Sequence, residues 1–304
     1  MRFRRALPVL LTLPLVAALL ALAPAASAGL GPNDVPASGA LWGAFPNEPG
    51  GAALLEQRVA RRLAIVNRYV PWNFGSWSDF GPEVRGHQVP LISWSAAPQT
   101  NAAAIAAGGS DAAIRTAALA LKALGGPILL RPFYEFDQPK GHPRYIGTPA
   151  QLIAAWRRVY SIFRAEGASN VRLVWCPMSF DFPRVAAQYW PGAAYVDWVG
   201  ADGYNFPGTP WRTFGTIFSA AYAFAAAQHK PLIVAETASP AADPRTPGWM
   251  AGAVVWAASH TDLKAVSYFD STSPKGYNFR VGSSAAALAA FRAWGHAADF
   301  LAMP

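Results

Sequence analysis

The sequence predicts a single (β/α)8 barrel, and three observations carry that reading. Eight short apolar segments recur along the chain, each bounded by turn residues. Helical patterns lie between several of them. About 276 residues follow a leader-like N-terminus without a linker or a change in composition, which suits one barrel of roughly 250 residues. Composition removes other classes. With 53% hydrophobic residues the chain can bury a large core, so it is not a disordered protein. Its single cysteine, Cys176, rules out a disulfide-stapled domain.

The N-terminus comes first. Arg2, Arg4 and Arg5 precede an uncharged apolar run from Ala6 to Ala23, and Ala26-Ser27-Ala28 follows as a small-x-small cleavage site. This is the layout of a secretory signal peptide over residues 1–28, leaving a catalytic-size domain over 29–304 and an extracellular product. Beyond Ala28 the chain carries 22 basic and 17 acidic residues, and the basic ones are scattered. Scattered charge does not make a nucleic-acid stripe.

The expected strands are Ala40–Pro46, Leu63–Pro71, Gln88–Trp94, Pro127–Phe133, Val171–Pro177, Val196–Gly203, Pro231–Ala235 and Ala265–Phe269. Most are continuous apolar runs, the pattern of parallel strands covered on both faces. The clearest helix is Thr148–Gly167. Thr148 and Gln151 make a capping box, Pro149 takes the first helical position, and Leu152, Ile153, Trp156, Val159, Tyr160 and Phe163 share one face. Ala102–Leu124, Phe214–His229 and Ala285–Trp294 read as further helices. The segments after Trp72 and Asp181 are rich in Pro, Gly and aromatics and read as long loops.

A barrel enzyme places its chemistry at the C-terminal ends of its strands. Six acids sit there: Glu135, Asp137, Asp181, Asp202, Glu236 and Asp270. Glu135 ends the fourth strand and Glu236 the seventh, positions that face each other across a barrel mouth. Two facing carboxylates are the apparatus of glycoside hydrolysis, one protonating the leaving oxygen and the other attacking the anomeric carbon or activating water. Arg131, on the strand of Glu135, is placed to hold a neighbouring carboxylate ionised or to form a rim salt bridge. Tyr204 is placed either to hydrogen-bond the nucleophile or to pack. Asp270 either binds a sugar hydroxyl or caps the last helix.

Trp72, Trp77, Trp94, Trp175, Trp190, Trp211 and Trp249 fall at strand ends or in loops, where flat aromatic faces can stack on pyranose rings. Trp72, Trp77 and Trp94 are the foremost of these, with Trp175 also at a strand end.

The chain resembles glycoside hydrolase family 26, best known for β-mannanases, from about Trp42 to Trp294. Four segments carry the likeness: Arg131-Pro132-Phe133-Tyr134-Glu135; Tyr189-Trp190-Pro191-Gly192 with Tyr195 to Tyr204; Lys230-Pro231 through Glu236-Thr237; and Tyr268-Phe269-Asp270 with Asn278-Phe279-Arg280-Val281. The resemblance implies a retaining β-glycanase with Glu135 as general acid/base and Glu236 as nucleophile. It makes Tyr204 the tyrosine that positions the nucleophile, and sets an aromatic platform at Tyr268 or Phe269. Three departures bear on the sugar accepted. Tyr134 stands where the family usually has His, Phe136-Asp137-Gln138 where it has Met-Asn-Gly, and Met178 where it often has Asn.

The expected substrate is therefore a β-linked polysaccharide, a β-mannan or related glycan. Glu236 should be ionised and Glu135 protonated in the free enzyme. No metal, other cofactor, nucleic acid or stable membrane association is expected, and the protein should be a monomer. The competing reading is a catalytically decayed barrel that only binds carbohydrate.

Overall fold

The computed structural model describes residues 29–301, so the expected signal peptide, residues 1–28, lies outside the described residues. Eight parallel strands close on themselves: β1 (Ala40–Pro46), β2 (Ile65–Pro71), β3 (Val89–Ser95), β4 (Ile128–Pro132), β5 (Val171–Trp175), β6 (Trp198–Tyr204), β7 (Leu232–Ala238) and β8 (Leu263–Asp270). Consecutive strands are neighbours, and β1 pairs with both β8 and β2 to complete the ring. At the N-terminal end of β1, Ala40 and Leu41 pair with a two-residue strand β9 (Phe300–Leu301). The β1–β2 seam is tight: a Cβ on Gly43 would sit 2.0 Å from the carbonyl oxygen of Ile65, so only glycine fits there.

Helices cover the outside: α1 (Gly51–Val59), α2 (Gly81–Arg85), α3 (Ala102–Ala106), α4 (Asp111–Ala123), α5 (Pro149–Ala165), α6 (Arg184–Ala187), α7 (Phe214–Ala227), α8 (Thr246–Ser259) and α9 (Ala285–Gly295). The capping box of Thr148 and Gln151 opens α5 as the sequence predicts. Two expectations need correction. The helix expected over 102–124 is broken into α3 and α4, because Gly108 adopts φ +94 and Ser110 restarts the chain. Helix α8 has no counterpart among the expected elements. Its alanine- and glycine-rich run shows little amphipathic pattern, and Trp249, expected in a loop, is buried within it.

Two hydrophobic layers follow from strand alternation. Leu41, Ile65, Leu91, Leu129, Val174 and Ile233 fill the lower barrel interior. The opposite faces of the strands pack against the helices. Higher in the interior the apolar fill gives way to buried polar side chains: Asn67 on β2, Ser93 on β3, Arg131 on β4, Asp202 on β6 and Ser267 on β8 continue the inward alternation, and Glu236 joins them where the pairing of β7 with its neighbours shifts register. The fold thus builds a polar floor on an apolar plug, open at the C-terminal strand ends. No helix among the described residues is long and apolar enough to cross a membrane.

Candidate active site

Arg131 is the centre of that floor and is fully buried. Its Nε and Nη2 donate to Ser93 Oγ at 3.1 and 2.7 Å, and Ser93 in turn donates to Asn67 Oδ1 at 2.8 Å. Its two terminal nitrogens form ion pairs with Asp202 and Glu236. Glu236 spends its second oxygen on the hydroxyl of Tyr204. Both its oxygens are therefore fixed by donors, from a planar guanidinium and from a tyrosine at the end of β6.

Glu135 reaches the same place by a different route. β4 ends at Pro132, and the chain then turns with positive φ at Phe133 (59°) and Glu135 (54°). Phe133 N–H donates to Trp94 O at 3.0 Å and Glu135 N–H to Cys176 O at 2.9 Å, which ties the turn to the strands on either side. Two residues on, Asp137 accepts from Met178 N–H at 2.9 Å and joins this turn to the one after β5. The result is that carboxylate oxygens of Glu135, Asp202 and Glu236 lie within 4.8 Å of one another. Three acids this close invite a cation, and the guanidinium of Arg131 already pairs with two of them.

Electrostatics separates the carboxyls. Burial and the charge of Glu236 push Glu135 up to about 7, with Arg144 opposing. Burial acts on Glu236 in the same sense, but Arg131, then Arg144 and the Tyr204 hydroxyl outweigh it and hold Glu236 below the ordinary carboxylate range. Burial raises Asp202, since one arginine cannot neutralise two buried carboxylates. Cys176, the lone cysteine, is buried and its thiol is pushed up by burial. It donates to Asp202 Oδ1 at 3.3 Å, and so serves as a neutral donor rather than a nucleophile. A site with one carboxyl protonated near neutrality and another ionised within 4.8 Å can give a proton and attack an electrophile in one event.

Above the carboxyls opens a cleft of about 670 Å³. Glu135, Glu236, Tyr204 and Phe269, all singled out from the sequence, line it together. Tyr134 packs between two arginines, its ring 4.6 Å from the guanidinium of Arg131 and 4.5 Å from that of Arg144.

The expected tryptophan platforms need correction. Trp72, Trp77 and Trp94 are buried: Trp72 stacks on Trp94 at 3.9 Å, and Trp77 meets Trp94 edge-on at 5.3 Å. Trp175 is buried against Phe224 and donates to Tyr189 O at 3.3 Å. Tyr268 is fully buried, its hydroxyl donating to the carbonyls of Ser239 and Phe279. The reason is register. Ser93 and Cys176 point inward, so their neighbours Trp94 and Trp175 must point out to the helix layer, and Tyr268 points out where Phe269 points in. Asp270 is buried too and accepts from Val281 N–H at 2.7 Å, so it ties down the loop after β8, while Ser284 caps α9.

Sequence reasoning missed Asn67, Tyr69 and Ser93, although a polar side chain two residues from an apolar one inside a buried strand was a visible signal. It also missed Arg144, in the loop before α5, for which the sequence carries no signal. Tyr69 packs edge-on to Tyr134 at 5.4 Å, and burial with the charge of Glu236 keeps its phenol neutral.

Comparison with known proteins agrees with this architecture. Residues 98–238 match the model of Glycosyl hydrolase family 26. Endoglucanase H of Acetivibrio thermocellus is 32% identical over 271 residues, 84% of this chain and 30% of that protein. A Beta-1,3-xylanase of an Alcaligenes species is 30% identical over 140 residues, 44% of this chain and 27% of that one. The chain thus spans less than a third of the length of these curated relatives. Among solved structures, a GH26 β-mannanase from Bacteroides ovatus superposes with TM-score 0.65 at 14% identity, over 88% of this chain and 91% of that one. A modular endo-β-1,4-mannanase from Cellulomonas fimi gives TM-score 0.68 at 15% identity, over 87% and 72%. The segment that carries β4 to β7 and both Glu135 and Glu236 is thus the part of the chain that is similar to glycosyl hydrolase family 26.

Proposed function

We propose that the protein is a secreted endo-β-glycanase that cleaves a β-linked polysaccharide with retention of configuration. Glu236 attacks the anomeric carbon, forming a glycosyl ester as the glycosidic C–O bond breaks. Glu135 gives its proton to the leaving oxygen. Water then attacks the anomeric carbon, its proton passes to Glu135, and the bond from that carbon to Glu236 breaks to release the carboxylate. The observation that carries this reading is the pair itself. Retaining enzymes set their carboxyl groups about 5–5.5 Å apart and inverting ones about 6.5–9.5 Å. Here the oxygens approach within 4.8 Å, and their pKa values are driven in opposite directions.

Tyr204 and Arg131 serve the nucleophile, and Tyr134 spaces the arginines that serve each glutamate. The relatives act on differently linked glucans, xylans or mannans by their names, which supports a β-glycan backbone for this chain. The N-terminal pattern over residues 1–28 supports export with cleavage after Ala28.

Reducing-end release across a panel of β-glycans tests this, with Glu236→Gln alongside. Cleavage of at least one glycan is expected, lowered at least about a thousandfold in Glu236→Gln. Binding to a glycan without release would instead mark a carbohydrate-binding barrel, and release that survives in Glu236→Gln would misplace the nucleophile.

A further inference from the structure

The cleft wall beside Glu135 is basic. His142 and Arg144 reach it from the loop between β4 and α5, and Lys275 from the loop after β8. These two loops face each other: after burial, the charges of Arg144 and Lys275 are what hold the His142 imidazole below its ordinary value. Among the described residues, the acids lining the cleft are Glu135 and Glu236. Glu236 is already matched by Arg131. Lys275 is exposed and forms no ion pair among the described residues.

Arg144 is the telling group. Its Nη1 lies 2.8 Å from Glu135 Oε2, so the charges touch, yet that buried nitrogen finds no acceptor in hydrogen-bonding geometry. Its guanidinium sits over the ring of Tyr134, and its side chain is only a third exposed. The pairing also fails when it matters. Glu135 must carry a proton to act on a leaving group, and a neutral Glu135 leaves Arg144 a half-buried cation with an unused donor. A neutral sugar offers hydroxyls there and no charge. A carboxylate offers the two coplanar oxygens that a guanidinium matches best, and Lys275 adds attraction from the opposite wall.

We infer that the glycan this cleft takes is acidic, with a carboxylate-bearing sugar such as a hexuronate seated between Arg144 and Lys275, on the leaving-group side of the bond that Glu135 protonates. This rests on the proposed hydrolysis and narrows its substrate class.

The test is the ratio of kcat/KM of the protein on a uronate-bearing β-glycan to that on the same glycan after carboxyl reduction. A ratio of about tenfold or more at low salt is expected, falling towards one in about 0.5 M NaCl, where exposed charge is screened within a few ångströms. Lys275→Glu should lower the ratio about tenfold. A ratio at or below one, or one that Lys275→Glu does not move, overturns the inference even if the neutral glycan is cleaved well. If neither glycan is cleaved, titration calorimetry of Glu236→Gln with oligosaccharides of both forms decides. Tighter binding of the acidic form that is weakened by Lys275→Glu keeps the inference and removes the hydrolase reading. Equal or absent binding of the two removes the inference.

Discussion

At the scale of single residues, the site is a pair of carboxyls each attended by its own arginine, with the ring of Tyr134 between the two guanidiniums. The arginines do different work. Arg131 is buried, uses all its nitrogens and fixes Glu236 as an anion. Arg144 meets Glu135 only through charge, and so acts on its titration. Because Arg144 lowers the pKa of Glu135, removing it must raise that pKa from about 7. In the proposed reaction Glu135 has to be protonated, so kcat/KM should fall as pH rises through about 7 in the parent. In Arg144→Gln the same fall should come at higher pH, seen in a pH profile on whichever neutral glycan the protein cleaves. An unmoved alkaline limb would mean another group sets it. Arg144 was also the residue least legible in the sequence. It sits in a loop, at no strand register and on no helical face, so neither periodicity reached it. Glu135 and Glu236 were legible because each ends an apolar run, and a charge at such a point is costly unless the structure uses it.

At the scale of elements, the strands were legible and the aromatics at their ends were not. Trp72, Trp94 and Trp175 lie at the upper rim by position, and position alone made them platforms. Alternation along each strand decides otherwise, and it could have been applied: once Ser93 is inward, Trp94 is outward. The consequence is measurable. Trp94→Ala should cost about 3–5 kcal/mol of stability, as large-to-small changes in a packed core do. Its effect on KM should be small when measured at a temperature where the variant is folded. The loops behave as elements too. Asp137, buried between the turns after β4 and β5, is pushed up to about 8 by burial and by Asp181. A carboxyl whose folded pKa lies above its unfolded value holds its proton more tightly in the folded state. Its stabilising contribution is full below the unfolded value and fades as pH rises towards about 8. Asp137→Asn keeps an acceptor for Met178 N–H and removes the titration. Its melting temperature should gain on the parent between pH 5 and pH 8, by about 2–4 °C for each kcal/mol recovered. Equal melting at both pH values would show that the pair carries no such strain.

At the scale of the whole molecule, a closed barrel joins its first strand to its last, so the chain ends matter to every element between them. β9 pairs with β1, and Arg61 donates to Phe300 O at 2.7 Å beneath the barrel. Phe300 is buried against Trp294. Phe300→Ala should lower the melting temperature, by about 3–5 kcal/mol in free energy, without altering the cleft some twenty or more ångströms above, at the other end of the strands. The cleft itself draws on the stability of the whole in the opposite sense. The backbone at Glu135 sits in the left-handed region, which glycine enters freely and other residues enter at a cost of about 1 kcal/mol. The same residue buries an acid beside an ionised neighbour. The protein should therefore melt higher after it is disabled: Glu135→Gly removes the torsional penalty and the buried acid together, and opens a niche above Glu236. A small anion such as azide, filling that niche, should take over the attack on the glycosyl ester and restore turnover on substrates with good leaving groups. The turn that aims the acid would then prove to be a place where selection has kept a less durable fold for the sake of a faster one.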